Sequence, residues 1–329
     1  MTRLRSSISS SYIAIPIAAA LALAVQCAQS QEFPSKPVRM VAGMAAGGGA
    51  DANARRLALI LNKILKQNVM VENVAGAAGN LAAQTVSGAG PDGYTLLYAS
   101  HPIMAINPVL YEKLPFNPES LVPVVLVTQT PHILLVNPSL PVTKASELVS
   151  LAKSRPGALN YGSGGVGTSI HLAGELMQSV AGVSFTHVTY RGAAPAFTAL
   201  LGNEIQLLFD SSTTAIGHMR GGRVRGLGIA SPARLSVVPD LPTLNESGLP
   251  GFEAGVGHGV LVHSATPPAR VAMLNKAINT ALADTELRKQ MSDLGVVLVG
   301  GTPEQFQSYL AAERRKWSEV IQKRGIKVE

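Results

Sequence analysis

The chain has 329 residues, 47% of them hydrophobic and only 14% charged, with a formal net charge of +7. That balance excludes a disordered chain, and the length exceeds what one core usually fills, so two lobes are expected. Basic residues gather only in short groups, Arg55-Arg56 and Arg314-Arg315-Lys316, without a stripe interleaved with aromatics, which argues against a nucleic-acid surface.

Residues 1–30 read as an export signal: Arg3 and Arg5 open it, an apolar stretch containing Pro16 runs from Tyr12 to Val25, and Ala28-Gln29-Ser30 offers small residues for cleavage near Ser30. The stretch is short for a membrane span. Removing Arg3 and Arg5 from +7 leaves +5 on a mature chain starting near Gln31, and the same cut removes Cys27, the single cysteine, so no disulfide is expected. Gln26 just before Cys27 argues against lipid attachment. A modest positive excess assists the capture of anions.

Beyond Gln31, β-rich runs alternate with helical ones, the pattern of an α/β fold with mainly parallel sheets. A strand is predicted over 38–41, then the loop Ala45-Ala46-Gly47-Gly48-Gly49-Ala50-Asp51, then a helix over 51–66. Strands are predicted over 69–71, 95–98, 122–128 and 132–136, and a helix over 144–154. A second glycine loop, Gly162-Ser163-Gly164-Gly165-Val166-Gly167-Thr168, follows a strand-like run and opens a helix over 168–181. A helix over 195–201 and strands over 205–209, 226–229 and 259–262 precede helices over 269–283, 285–294 and 303–324. Thr143 and Thr302 stand at cap positions for two of the helices.

The same unit, strand, glycine loop, helix, thus occurs twice. A helix start has unpaired N–H groups and a partial positive charge, and glycines let a ligand approach them, so each loop is a candidate anion site. In open α/β sheets such loops at strand C-termini line the ligand crevice.

Other chemistries fit less well. Gly162 to Gly167 matches G-x-G-x-x-G, yet a nicotinamide site needs an acid on the ribose about twenty residues later, and no Asp or Glu lies between Glu175 and Glu204. No G-x-S-x-G elbow supports a serine hydrolase, although an exported hydrolase using Ser163 and His171 is the rival class. His171, three residues after Thr168, is placed to cap the loop or touch a ligand. The histidines are dispersed without H-x-x-x-H or H-E-x-x-H spacing, so no metal and no cofactor are expected. Asp51 can cap its helix or meet a ligand, and Asp210, followed by Ser211-Ser212-Thr213-Thr214, can accept from a ligand or hold its own loop.

The sequence resembles the substrate-binding proteins of tripartite tricarboxylate transporters, the Bug family. The likeness is carried by Phe33-Pro34-Ser35-Lys36-Pro37-Val38-Arg39, Ala46-Gly47-Gly48 with Asp51 and Arg55, Val71-Glu72-Asn73, Pro91-Asp92-Gly93-Tyr94-Thr95, Asn107-Pro108, Tyr161-Gly162-Ser163, His171-Leu172-Ala173-Gly174-Glu175, His187-Val188 with Tyr190 and Gly192, and Thr266-Pro267. It implies a periplasmic binding protein of type II, two α/β lobes closing on a small di- or tricarboxylate or an aromatic carboxylate. Lobe 1 would comprise 31–130 and 255–329, lobe 2 131–254. It also implies a monomer that performs no chemistry and docks, when closed, on permease subunits of such a transporter, a signalling partner being the other option. By this pattern Ala46, Gly47, Gly48 and Asp51 bind on one side and Ser163, Thr168 and His171 on the other, with Gly164 in the second loop, and Ser100 and Asp210 lining the cleft.

Two departures stand out. The family usually has Pro-Phe-Pro where this chain has Gly43-Met44-Ala45, and a Trp where it has Gly257, followed by His258. Met44 is therefore a candidate ligand contact, and the loss of two aromatics predicts a larger or softer pocket.

Overall fold

The computed structural model describes residues 33–328, so the expected export signal and its cleavage point lie outside the described residues. Residues 33–36 form a short bent lead-in. From Val38 the chain runs β1 (Val38–Ala42), α1 (Gly49–Leu65), β2 (Val69–Asn73), α2 (Asn80–Ser87), β3 (Thr95–Ser100) and the single turns α3 (Pro102–Ala105) and α4 (Asn107–Leu110). It continues with β4 (Leu121–Val136), α5 (Ala145–Ser154), β5 (Asn160–Ser163), α6 (Ser169–Ala181), β6 (Thr186–Thr189), α7 (Ala193–Leu201), β7 (Leu207–Ser211) and α8 (Ser212–Arg220). The last elements are β8 (Arg225–Ile229), β9 (Gly255–His263), α9 (Pro268–Leu282), α10 (Thr285–Asp293), β10 (Val297–Gly300) and α11 (Pro303–Arg324).

These strands make two sheets that share one strand. The first has the order β2-β1-β3-β9-β4-β10, the second β6-β5-β7-β4-β8. Residues 121–131 of β4 pair with β9, whereas residues 132–136 pair with β7 and β8. The β1–β2, β1–β3, β5–β6 and β5–β7 pairs are parallel, as helix crossovers require. The expectation of mainly parallel sheets needs correction, because every pair involving β4 or β9 is antiparallel. The reason is that β4 runs on from the first sheet into the second instead of returning over a helix, and β9 lies antiparallel along its first part.

The break predicted between 128 and 132 also disappears. Residues 129–131 lie between the two predicted strands, yet Pro131 is carried through as strand, opposite Gly255. A Cβ on Gly255 would lie 2.5 Å from the Thr130 carbonyl oxygen, so a residue without a side chain allows the two backbones to meet there.

Each sheet has its own core. Val41, Leu97, Leu126, Leu261, Phe306 and Leu310 belong to the first; Ile133 to Val136, Leu172, Phe209, Trp317, Val320 and Ile321 belong to the second. Two elements therefore serve both: β4, and α11, whose first half buries Phe306 and Leu310 in one core and whose second half buries Trp317 and Ile321 in the other. Side chains of this size contribute roughly 1.5–3 kcal/mol each when buried, so α11 is held from both sides. Its start is fixed by Thr302, whose hydroxyl accepts from the Gln305 N–H at 3.2 Å while the Gln305 amide oxygen accepts from the Thr302 N–H at 2.8 Å. The cap expected at Thr143 moves by one residue: Lys144 occupies the cap position, and the Glu147 carboxylate accepts from the Thr143 N–H at 2.7 Å. Among the described residues no helix is long and apolar enough to cross a membrane.

Candidate functional site

The first glycine loop leaves β1 at Gly43 and enters α1 at Gly49. Its geometry is fixed by Asp51, in the first turn of α1. The Asp51 carboxylate accepts from the Gly47 N–H at 2.9 Å, from Arg55 Nε at 3.1 Å and from Asn73 Nδ2 at 2.8 Å, and Asn73 also donates to the Met44 carbonyl at 3.1 Å. Burial alone would raise the Asp51 pKa; these donors outweigh it and hold the group at about 2. The carboxylate is only 3% exposed and fully engaged, so its place is inside the loop. Ala46, Gly47 and Gly48 are exposed and Met44 is half-buried. The N–H groups of Gly48, Gly49 and Ala50 have no protein acceptor among the described residues, which leaves three donors at the helix start.

The second loop is built more tightly. Ser163 ends β5 and is completely buried; its Oγ accepts from the Gly165 N–H at 3.1 Å and lies 2.7 Å from His187 Nε2. Thr168 caps α6, its hydroxyl accepting from the His171 N–H at 3.4 Å and donating to the Gly165 carbonyl at 2.8 Å. His171 Nδ1 accepts from the Gly167 N–H at 3.1 Å, the capping option left open for it. Gly164 sits where any Cβ would meet the Gly192–Ala193 backbone at 2.9 Å. The N–H groups of Val166, Ser169 and Ile170 find no protein acceptor among the described residues.

Below this loop three rings stack. His171 and His187 have centroids 4.2 Å apart, and His187 lies 4.6 Å from Tyr161. Beneath them the Glu175 carboxylate accepts from Tyr161, from Gln178 at 2.9 Å and from Arg324 at the end of α11. Burial, then the neighbouring His187, lowers the His171 pKa to about 4; burial also lowers that of His187. Both rings are therefore neutral near pH 7.

Each loop rests on the α3–α4 segment. Gly43 packs on Ile103, and the Gly43 N–H donates to the Tyr98 carbonyl at 3.1 Å. Across from it, a Cβ on Gly167 would lie 2.4 Å from Leu110 Cδ2. Ser100, half-buried at the end of β3, is thus beside the first loop and opposite His258 on β9. Asp210 is 4% exposed, and among the described residues its carboxylate accepts one hydrogen bond, from the adjoining Ser211 N–H at 2.8 Å. Burial raises its pKa to about 6.

Gly257 does not open this crevice. A Cβ there would lie 2.8 Å from the Tyr309 hydroxyl, on the side of β9 facing α11, where Gly257, Tyr309, Glu313 and Lys316 line a separate cavity of about 410 Å³. Because side chains alternate along a strand, residue 257 faces away from the side taken by residue 258.

The pairing required by the hydrolase reading is also missing, since the Ser163 hydroxyl meets His187 rather than His171. A scan of protein families matches residues 53–326 to the tripartite tricarboxylate transporter family receptor. The chain belongs to this receptor family. Protein BugT of Bordetella pertussis is 32% identical over 299 residues, covering 90% of this chain and 92% of that protein. A solved R. palustris protein with adipate has a TM-score of 0.79 and 31% identity, covering 90% of this chain and 99% of its own. MatC from Rhodopseudomonas palustris with bound malate has a TM-score of 0.74 and 33% identity, covering 88% and 100%. The receptor is accordingly a type II periplasmic binding protein of two α/β lobes with a ligand cleft, and a binder rather than an enzyme.

Within this receptor, sequence reasoning missed His187 and Tyr161 as supports of the second loop. The available signal was the alternation in Thr186-His187-Val188-Thr189, which puts the His187 ring on one face of the sheet, level with Tyr161 of β5.

Proposed function

We propose that the receptor captures a small carboxylate between the two glycine loops and delivers it to permease subunits of a tripartite tricarboxylate-type transporter. The observation that supports this most is the pair of helix starts, each presenting unpaired N–H groups: Gly48, Gly49 and Ala50 on α1, and Val166, Ser169 and Ile170 on α6. Both loops are free of Arg and Lys, so recognition rests on backbone donors aided by the helix dipoles. Hydrogen bonds to a charged group contribute about 1.5–3 kcal/mol each, and a few of them suffice for about micromolar affinity. The proteins with adipate and with malate agree in ligand class.

The lobes of this reading are residues 31–130 with 255–329, and 131–254, a division supported by the change of partners along β4 at Pro131 and His132. Ligand bridging the two would favour the closed state, which the permease would read. Among the assigned positions, Ala46, Gly47, Gly48, Gly164 and Thr168 shape or present the donors, Met44 and Ser100 border the first loop, and Asp51, Ser163 and His171 hold the loops from within. Asp210 stands as a further polar group of the cleft region.

Thermal denaturation against a panel of dicarboxylates, tricarboxylates and aromatic carboxylates tests the proposal. A ligand at one hundred times its dissociation constant adds about 2.7 kcal/mol of stability, so the cognate acid raises Tm by several degrees. Absence of a shift with every carboxylate, at millimolar concentration, would overturn the proposal.

A further inference from the structure

The geometry points to His187 as the positioning residue of the second anion loop: its imidazole fixes the Ser163 hydroxyl, and through it the Gly165 amide, in the conformation that aims the free N–H groups at a ligand. This rests on the carboxylate-binding reading above and extends it to a residue that lies behind the loop.

Three observations carry it. First, Ser163 is fully buried, and its Oγ has His187 Nε2 at 2.7 Å, the Gly165 N–H at 3.1 Å and the Gly165 carbonyl at 3.2 Å. A hydroxyl has a single proton, so it can donate to the ring or to the carbonyl but not to both. The imidazole therefore decides the hydroxyl's direction and holds its oxygen where it accepts from the Gly165 N–H. Second, Gly165 has φ +130, a conformation that the loop's own sequence does not impose, and both its N–H and its carbonyl are tied to side chains, the latter also by Thr168 at 2.8 Å. Third, the ring itself cannot drift. It is stacked between Tyr161 and His171, and His171 is held by the Gly167 N–H.

The titratable and charged groups facing this ring are few: Tyr161 on β5, His171 and Glu175 on α6, and Arg324 on α11, with Tyr190 beyond β6 packed near Gly162. Glu175 and Arg324 neutralise one another. The ring pair therefore contributes hydrogen bonds rather than net charge to the anion loop at neutral pH.

Two variants separate positioning from packing. His187→Gln places an amide nitrogen near the position of Nε2 and keeps the bond to Ser163; His187→Phe keeps the stacked ring and loses the bond. Amide hydrogen exchange at Gly165, measured by NMR without any ligand, is expected to remain slow in wild type and H187Q and to accelerate about tenfold in H187F, with circular dichroism and Tm confirming that all three are folded. Titration with adipate and with malate is expected to show about tenfold weaker binding for H187F and nearly wild-type binding for H187Q. Equal Gly165 exchange in wild type and H187F would overturn the proposal, as would unchanged affinity of H187F for an acid that wild type binds. If wild type binds neither acid, the exchange measurement still decides the role of His187, so the failure of the carboxylate reading is distinguished from the failure of this one.

Discussion

The two buried aspartates are held in opposite ways, and pH separates them. Asp51 has a folded pKa of about 2 against 3.8 in its unperturbed state, so its contribution is complete above pH 4 and lost as pH falls toward 2. That contribution is about 1–2 kcal/mol, and Asp51→Asn should remove it at neutral pH while leaving stability near pH 2 unchanged; chemical denaturation at the two pH values measures the difference. Asp210 behaves in reverse. Its folded pKa of about 6 exceeds the ordinary 3.8, so the folded state binds the proton more strongly, and stability declines as pH rises from about 4 through 6. Asp210→Asn retains an acceptor for the Ser211 N–H and should stabilise the protein at pH 8 by about 1–3 kcal/mol, with no gain at pH 4. A variant that instead loses ligand affinity without gaining stability would assign Asp210 to recognition.

At the scale of elements, the glycine positions make the sharpest tests. Gly167 combines φ +80 with the close approach to Leu110, so Gly167→Ala should cost about 2 kcal/mol or more, and adding Leu110→Ala should recover the steric part only. Gly257→Ala should be destabilising because of the Tyr309 hydroxyl, and Tyr309→Phe in the same chain should relieve it; a denaturant double-mutant cycle reads the coupling. Most long elements were legible from periodicity: the helix predicted over 303–324 is α11 residue for residue. What escaped has physical reasons. The helix α8 begins with Ser212-Thr213-Thr214, hydroxyls that compete for backbone groups and read as loop, and is held in place by Ser212 Oγ donating to the Gly295 carbonyl at 2.8 Å, a contact 83 residues away in sequence. The short strand β10, Val297 to Gly300, exists through its pairing with β4 rather than through its own length. Both glycine loops were legible as helix starts, but whether Asp51 or His171 faces outward was not, because the answer depends on Asn73 from β2 and on the loop's own amides. His187 was hidden for the same reason: its partner Ser163 comes from the neighbouring strand.

Across the whole molecule, Arg324 ties the end of α11 to Glu175 beneath the second loop. Arg324→Ala leaves that buried carboxylate without its cation and should destabilise by about 1–3 kcal/mol, less than for a fully buried pair because the arginine is 35% exposed. The loss should be greater than for Lys289→Ala, whose partner Asp293 is on the surface of α10, and parallel thermal melts compare them. The sharing of β4 and α11 between the cores bears on how the protein comes apart. Melting one sheet would strip β4 of half its ladder and expose one half of α11, so a state with a single intact lobe has no free-energy basin of its own. Calorimetry should accordingly record one cooperative transition, its van't Hoff and calorimetric enthalpies equal, from a chain that carries two hydrophobic cores.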